Sequence, residues 1–309
     1  MSQIKVNGYV LPNETLIEWK QRLVPAYDIF FFKNQPDFMA CKEIKADTRL
    51  SFSLNDKTSF TTWAISNEAK YYISISNEEF MELTEEQKKQ IIKEQWKMGR
   101  GLILTEENLI TLLPTETREV LEILEYSSYE DKEQNGKVYM IQKFLWDMLS
   151  NETRTQFLSN YAKMWTDETA LFDQLSENDQ SLIRKEFRTL STFIDTFSSK
   201  NGPNCLAAAA AALTGDISVI GEWMKPERFY SLMEDNQYRK INRTNLKKLD
   251  VLVWKNKQGQ AVHASTLLNS KYCFNKHGQT MFNPWQVLKV EDVMESWGRE
   301  FQIEIYRKH

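Results

Sequence analysis

The chain has 309 residues, 41% hydrophobic and 12% aromatic, with 10 glycines, 7 prolines and a net charge of −4 at pH 7. That composition excludes fibrous and disordered classes and gives ample core for two domains or one large one. An acidic balance without a strongly basic tract speaks against nucleic acid as a general partner.

The charge is unevenly divided. Residues 1–198 carry 23 basic and 32 acidic side chains, and residues 199–309 carry 16 and 11, so the two parts have opposite net sign. The first residues lack the apolar stretch of a secretory signal, and the longest apolar run, around the alanines of 207–212, is too short to span a membrane. Cys41, Cys205 and Cys273 are an odd set with neither a metal spacing nor a disulfide framework. The expectation is a reduced, cytoplasmic protein with no metal and no cofactor.

Residues 1–80 read as mixed with a β bias. Short β-branched or aromatic runs lie at 4–11, 27–32, 50–54, 60–65 and 71–75, and 14–23 reads as an amphipathic helix ending before Pro25. Residues 81–198 turn to a period of 3.6. Thr84 with Gln87 marks a capping box before a helix to Met98, and Thr105 opens another to Leu113. Thr115 starts a run to Tyr126, and 130–136 is a polar linker. Helices are expected at 138–149, 152–165, 167–175 and 180–197.

Residues 199–309 form a third region. Asn201-Gly202-Pro203-Asn204 reads as a turn ending in an N-cap, followed by Cys205 and an alanine-rich helix stopped at Gly215. A second helical stretch covers 221–233. Strands are expected at 249–254, 261–268, 272–274 and 301–306, with a helix at 290–297 before the last. The layout is α+β, a helix packed on an antiparallel meander.

The chemistry concentrates in this region. A thiol in the first turn of a helix feels unsatisfied backbone N–H groups that favour its thiolate. It needs a base, and the base an orienting group. His263 lies on a strand 58 residues after Cys205, and the next strand offers Asn275 and His277. If the loop between the strands has three residues, 269–271, both candidates share the face of His263.

Taken together, Cys205, Leu249-Asp250-Val251-Leu252-Val253-Trp254, His263 and Asn275 resemble the NlpC/p60 superfamily of papain-like cysteine hydrolases over roughly residues 180–309. The resemblance implies a papain-like fold with Cys205 as nucleophile, His263 as general base and acid, and Asn275 as the orienting residue, with His277 in reserve. It also implies a backbone N–H of Cys205 in the oxyanion hole. The chain differs from the family pattern at Asn204, Leu206, Leu249 and Ala264-Ser265.

The expected function is a cysteine amidase or peptidase acting through a Cys205 thioester on a peptide or amide substrate. The same triad could instead pass the acyl group to an amine or lipid, as an acyltransferase or transglutaminase-like enzyme. A third reading keeps the papain-like scaffold as a non-catalytic interaction module, which the atypical Asn204 and Leu206 favour.

Overall fold

The computed structural model describes residues 3–45, 47–114, 117–131, 136–166, 169–242, 245–298 and 300–309. The chain is mixed α and β, and its sheets are antiparallel. It divides into two compact units, one of Met1–Thr15 with Ala162–His309 and one of Leu16–Tyr161.

In the first unit the sequence around Cys205 folds as its caps dictate. Helix α1 spans Cys205–Thr214, with the Asn204 side chain accepting from the Ala207 N–H and Gly215 left-handed at φ 74°. Helix α2 spans Pro226–Asp235, with Pro226 at its start, where a missing N–H costs nothing, and not inside it. Then follow β1 (Tyr238–Ile241), β2 (Val251–Lys255), β3 (Ala261–Leu267), β4 (Tyr272–Asn275), β5 (Gln286–Lys289), α3 (Val290–Gly298) and β6 (Gln302–Lys308). They form one six-stranded sheet in the order β5-β4-β3-β2-β6-β1. Strands β1 and β5 are additions to the four expected from sequence.

Strand alternation gives this sheet two different faces. Val251, Val253, Ala264, Phe274 and Val287 share a core with α1, whose Ala207–Ala211 are fully buried. The small alanines let the helix backbone come close enough for Thr266 Oγ1 to donate to Ala209 O at 2.9 Å. Leu252, Trp254, Leu267, Cys273 and Leu288 form the other core, covered by Val290, Val293, Met294 and Trp297 from α3. Each fully buried aliphatic or aromatic side chain contributes about 1.5–3 kcal/mol. The loop between β3 and β4 has three residues, closed by Leu268 N donating to Tyr272 O at 2.8 Å. The register Thr266↔Phe274 and Leu267↔Cys273 therefore sets Ser265 opposite Asn275.

The hairpin Ile4–Val6 and Tyr9–Leu11 belongs to this unit, with Val10 N donating to Asp195 O at 2.7 Å. The long helix expected at 180–197 is shorter, Glu177–Glu186, followed by a 3-10 turn at Leu190–Thr192. Ile183, Phe187, Leu190 and Ile194 are nevertheless buried together. The apolar spacing reported burial, and tertiary packing chose the backbone. Of the helix expected at 167–175, residues 167 and 168 lie outside the described residues, and the remainder holds only a 3-10 turn, Phe172–Gln174.

The second unit packs two small sheets, Tyr27–Phe32 with Lys42–Glu43 and Tyr71–Ser76, and Ile103–Thr105 with Ser128–Asp131 and Gly136–Met140. Phe30, Phe32 and Ile75 share one core with Ile91, Ile103 and Val138, so hydrophobic packing runs across residues 80 and 81. The units thus divide the chain elsewhere than at 80/81 and 198/199. The stretch 50–54 is not a strand: Ser53 forms a capping box with Asp56 and starts the helix Leu54–Ser59. No strand forms at 60–65, where Thr61 is left-handed at φ 44°. The polar stretch 130–136 is not a plain linker, because its two ends belong to paired strands. The expected helix 138–149 is likewise a strand to Met140 and a helix only over Lys143–Met148. Thr115 lies outside the described residues, and its run is a helix over Thr117–Leu124.

Candidate functional site

Cys205 is the first residue of α1, 8% exposed, and its Sγ lies 4.0 Å from the carbonyl oxygen of Val262 on β3. Burial pushes the thiol up, partly offset by the backbone N–H groups of Ala264, Leu206 and Cys205 and by the charge of Lys276. The helix start supplies the donors that sequence reasoning expected, and desolvation outweighs them.

His263 leaves the same strand on the opposite face. It pairs across the sheet with Trp254, and its ring stacks on Trp297 of α3 at 4.1 Å and 5°. Both neighbours belong to the core that α3 covers. The residue on either side of this alternation agrees: Ala264 and Thr266 face α1, and Ser265 faces away with His263. The strand backbone between residues 262 and 264, and not the imidazole, meets the Cys205 thiol.

The structure does join His263 to Asn275. Nε2 of His263 lies 2.8 Å from Asn275 Oδ1, which also accepts from Ser265 Oγ at 2.6 Å. A carbonyl oxygen only accepts, so Nε2 carries the proton and Nδ1 keeps its lone pair. Among the described residues Nδ1 has no hydrogen-bond partner. His263 is fully buried, and this burial lowers its pKa to about 3, with His277 acting in the same direction and the Asn275 bond opposing. His277 is half-buried, its Nδ1 3.4 Å from Asn275 Nδ2 and its ring 6.3 Å from that of His263. Asn275 therefore bonds the imidazole directly, and His277 lies on the far side of Asn275.

The residue that sequence reasoning missed is Lys276. Alternation after Phe274 sets it on the α1 face, where it is fully buried and lies 5.8 Å from the Trp285 ring. Its Nζ donates to Thr280 O at 2.9 Å and Asn283 O at 2.5 Å. Burial lowers its pKa to about 7, opposed by a Cys205 thiolate. The loop that Lys276 closes docks on the turn before Cys205: Gly202 N donates to Gln279 O and Met281 N to Asn201 Oδ1, both at 2.8 Å. The face parity of Lys276 was available from sequence; its burial was not.

Asp250 of the Leu-Asp-Val stretch is a structural carboxylate, accepting from Arg307 Nε at 2.7 Å and Nη2 at 2.6 Å and from Lys247 N at 2.7 Å. Cys41 and Cys273 are free thiols like Cys205, and burial pushes Cys273 up to about 12. Among the described residues no group of three or more His, Cys, Asp and Glu could hold a metal ion, and no helix is long and apolar enough to cross a membrane. Comparison of the chain with protein-family models, with curated proteins and with solved structures gives no match.

Proposed function

We propose that the 199–309 region is a papain-like α+β scaffold of the NlpC/p60 kind that works as an interaction module and not as a Cys-His-Asn hydrolase. One observation carries this reading: Cys205 and the His263 imidazole lie on opposite faces of one sheet, so the thiol has no imidazole to take its proton. His263, Ser265 and Asn275 then serve as a buried polar network that fixes the β3–β4 register. Three free thiols suit a reducing, cytoplasmic location. The test is incubation of the full chain with a panel of fluorogenic peptide amides, beside Cys205→Ser and His263→Gln. The reading expects no turnover above blank in any of the three. Turnover abolished by both substitutions would overturn it.

A second reading keeps the cysteine amidase or peptidase, or an acyltransferase with the same residues. It is favoured by the state of His263, whose Nε2 proton is held by Asn275 while the Nδ1 lone pair is unpartnered, the arrangement a general base needs. The same panel, repeated with an added amine acceptor, separates hydrolysis from transfer by the mass of the product.

A further inference from the structure

The six-stranded sheet ends in β1 on one side and β5 on the other. The two ends differ. Gln286, Val287 and Leu288 of β5 are buried, whereas Arg239 and Lys240 of β1 are exposed and Ile241 is half-buried. An end strand leaves alternate backbone N–H and C=O groups unpaired along its outer side. Beside β1, on the face of α2, runs a cleft of about 500 Å³ whose lining includes Tyr230, Met233, Tyr238 and Tyr306 together with the charged Glu234, Arg239 and Lys240. Tyr238 is 5% exposed, and its hydroxyl has no hydrogen-bond partner among the described residues.

Charge and parity then restrict the occupant. Lys240 is held by Glu304 at 2.7 Å, while Arg239 makes no ion pair among the described residues. Alternation sets Tyr238 and Lys240 on the sheet face that packs with α2 and Arg239, which also borders the cleft, on the other face. A second copy of the chain pairing β1 with β1 would bring Arg239 and Lys240 against their own kind, which is destabilising. An extended segment with apolar side chains on one face and carboxylates on the other satisfies both sides.

We propose that β1 takes an acidic extended peptide by strand addition, its apolar side chains in the tyrosine-lined cleft and its carboxylates toward Arg239. The proposal rests on the interaction-module reading and supplies its partner class.

The test uses the full chain and a fluorescein-labelled heptapeptide, Glu-Val-Glu-Phe-Glu-Val-Glu, followed by anisotropy and by amide shifts of Tyr238–Ile241. The expected result is a Kd on the order of 10–100 μM, weakened at high salt and at least tenfold weaker for Arg239→Glu. Replacing the central Phe of the peptide by Pro, a change on the ligand that leaves the protein intact, is expected to abolish binding. Absence of binding, equal binding of the peptide with every Glu changed to Lys, or a chain that dimerises through β1 without peptide would overturn the proposal. None of these outcomes bears on amide turnover, so the proposal and the module reading fail separately.

Discussion

His263 and Cys205 meet the same short piece of β3 from opposite sides: the thiol approaches the Val262 carbonyl at 4.0 Å, and the imidazole turns to Trp297 at 4.1 Å. One residue of strand alternation decides whether the imidazole faces the thiol or the core under α3. The consequences for stability and reactivity follow from which core each side chain serves.

His263→Ala removes a fully buried ring, its stacking on Trp297 and its bond to Asn275. The cost expected is about 2–4 kcal/mol. Asn275→Ala, which strands the Ser265 hydroxyl and the His263 Nε2–H, is expected to cost about 2–3 kcal/mol. Urea unfolding of each variant, followed by circular dichroism, measures both.

The His263 network also sets a pH dependence. The folded pKa is held at about 3, below the value of roughly 6.5 in the unfolded chain, so below 6.5 the unfolded state binds the extra proton. The neutral ring's contribution is fully present above pH 6.5 and is lost as pH falls from there toward 3. The full span is roughly 5 kcal/mol at most. His263→Gln should flatten the wild-type fall in urea midpoint between pH 6.5 and 4; an unchanged slope would place the titration elsewhere.

Lys276→Met leaves the carbonyls of Thr280 and Asn283 without their donor and removes the cation that lowers the Cys205 pKa. The expected destabilisation is about 2–3 kcal/mol. Where the variant remains folded, Cys205 should alkylate several-fold more slowly than in the parent at pH 6, where Lys276 carries its charge, with the difference fading by pH 8, measured by mass spectrometry of the labelled peptide.

Ala208→Leu tests the close approach of α1 to the sheet. Ala208 is fully buried, and the neighbouring turn lies within hydrogen-bond distance of Thr266. Overpacking there should cost about 1–3 kcal/mol and lower the thermal midpoint. A neutral result would mean that the helix has room to move.

In the second unit, Asp28 and Arg100 form a buried ion pair, with Gln142 Nε2 donating to Asp28 Oδ2 at 2.7 Å and Arg100 Nε to Ile29 O at 3.0 Å. Arg100→Met leaves a buried carboxylate without its partner and is expected to destabilise by about 3–5 kcal/mol. Asp28→Asn with Arg100→Met together should recover part of that loss in the same unfolding assay.

Much of the fold around Cys205 was legible because it depends on local signals. Asn204 and Gly215 bound α1, Thr84 with Gln87 and Thr105 with Asn108 cap their helices, and the odd loop at 269–271 fixed the pairing of Ser265 with Asn275. The His263–Asn275 contact followed from that parity. The position of Cys205 relative to His263 did not, because order and spacing along the chain leave open which face of the sheet α1 covers. That choice is made by Ala264, Thr266 and Phe274 packing against the alanines, a long-range selection. Strands such as Gln286–Lys289 and the segment 187–197 were hidden for a related reason: buried residues of mixed character carry no period that separates strand, turn and helix.

The central claim is that Cys205 is a desolvated thiol without an imidazole base. The most direct measurement is the rate of Cys205 alkylation by iodoacetamide as a function of pH, read by mass spectrometry on the folded full chain. The account predicts a rate at pH 7 below that of free cysteine, rising only above the ordinary thiol pKa, and unchanged in profile by His263→Gln. A rate well above free cysteine near neutrality that falls to the free-thiol level in His263→Gln would contradict it.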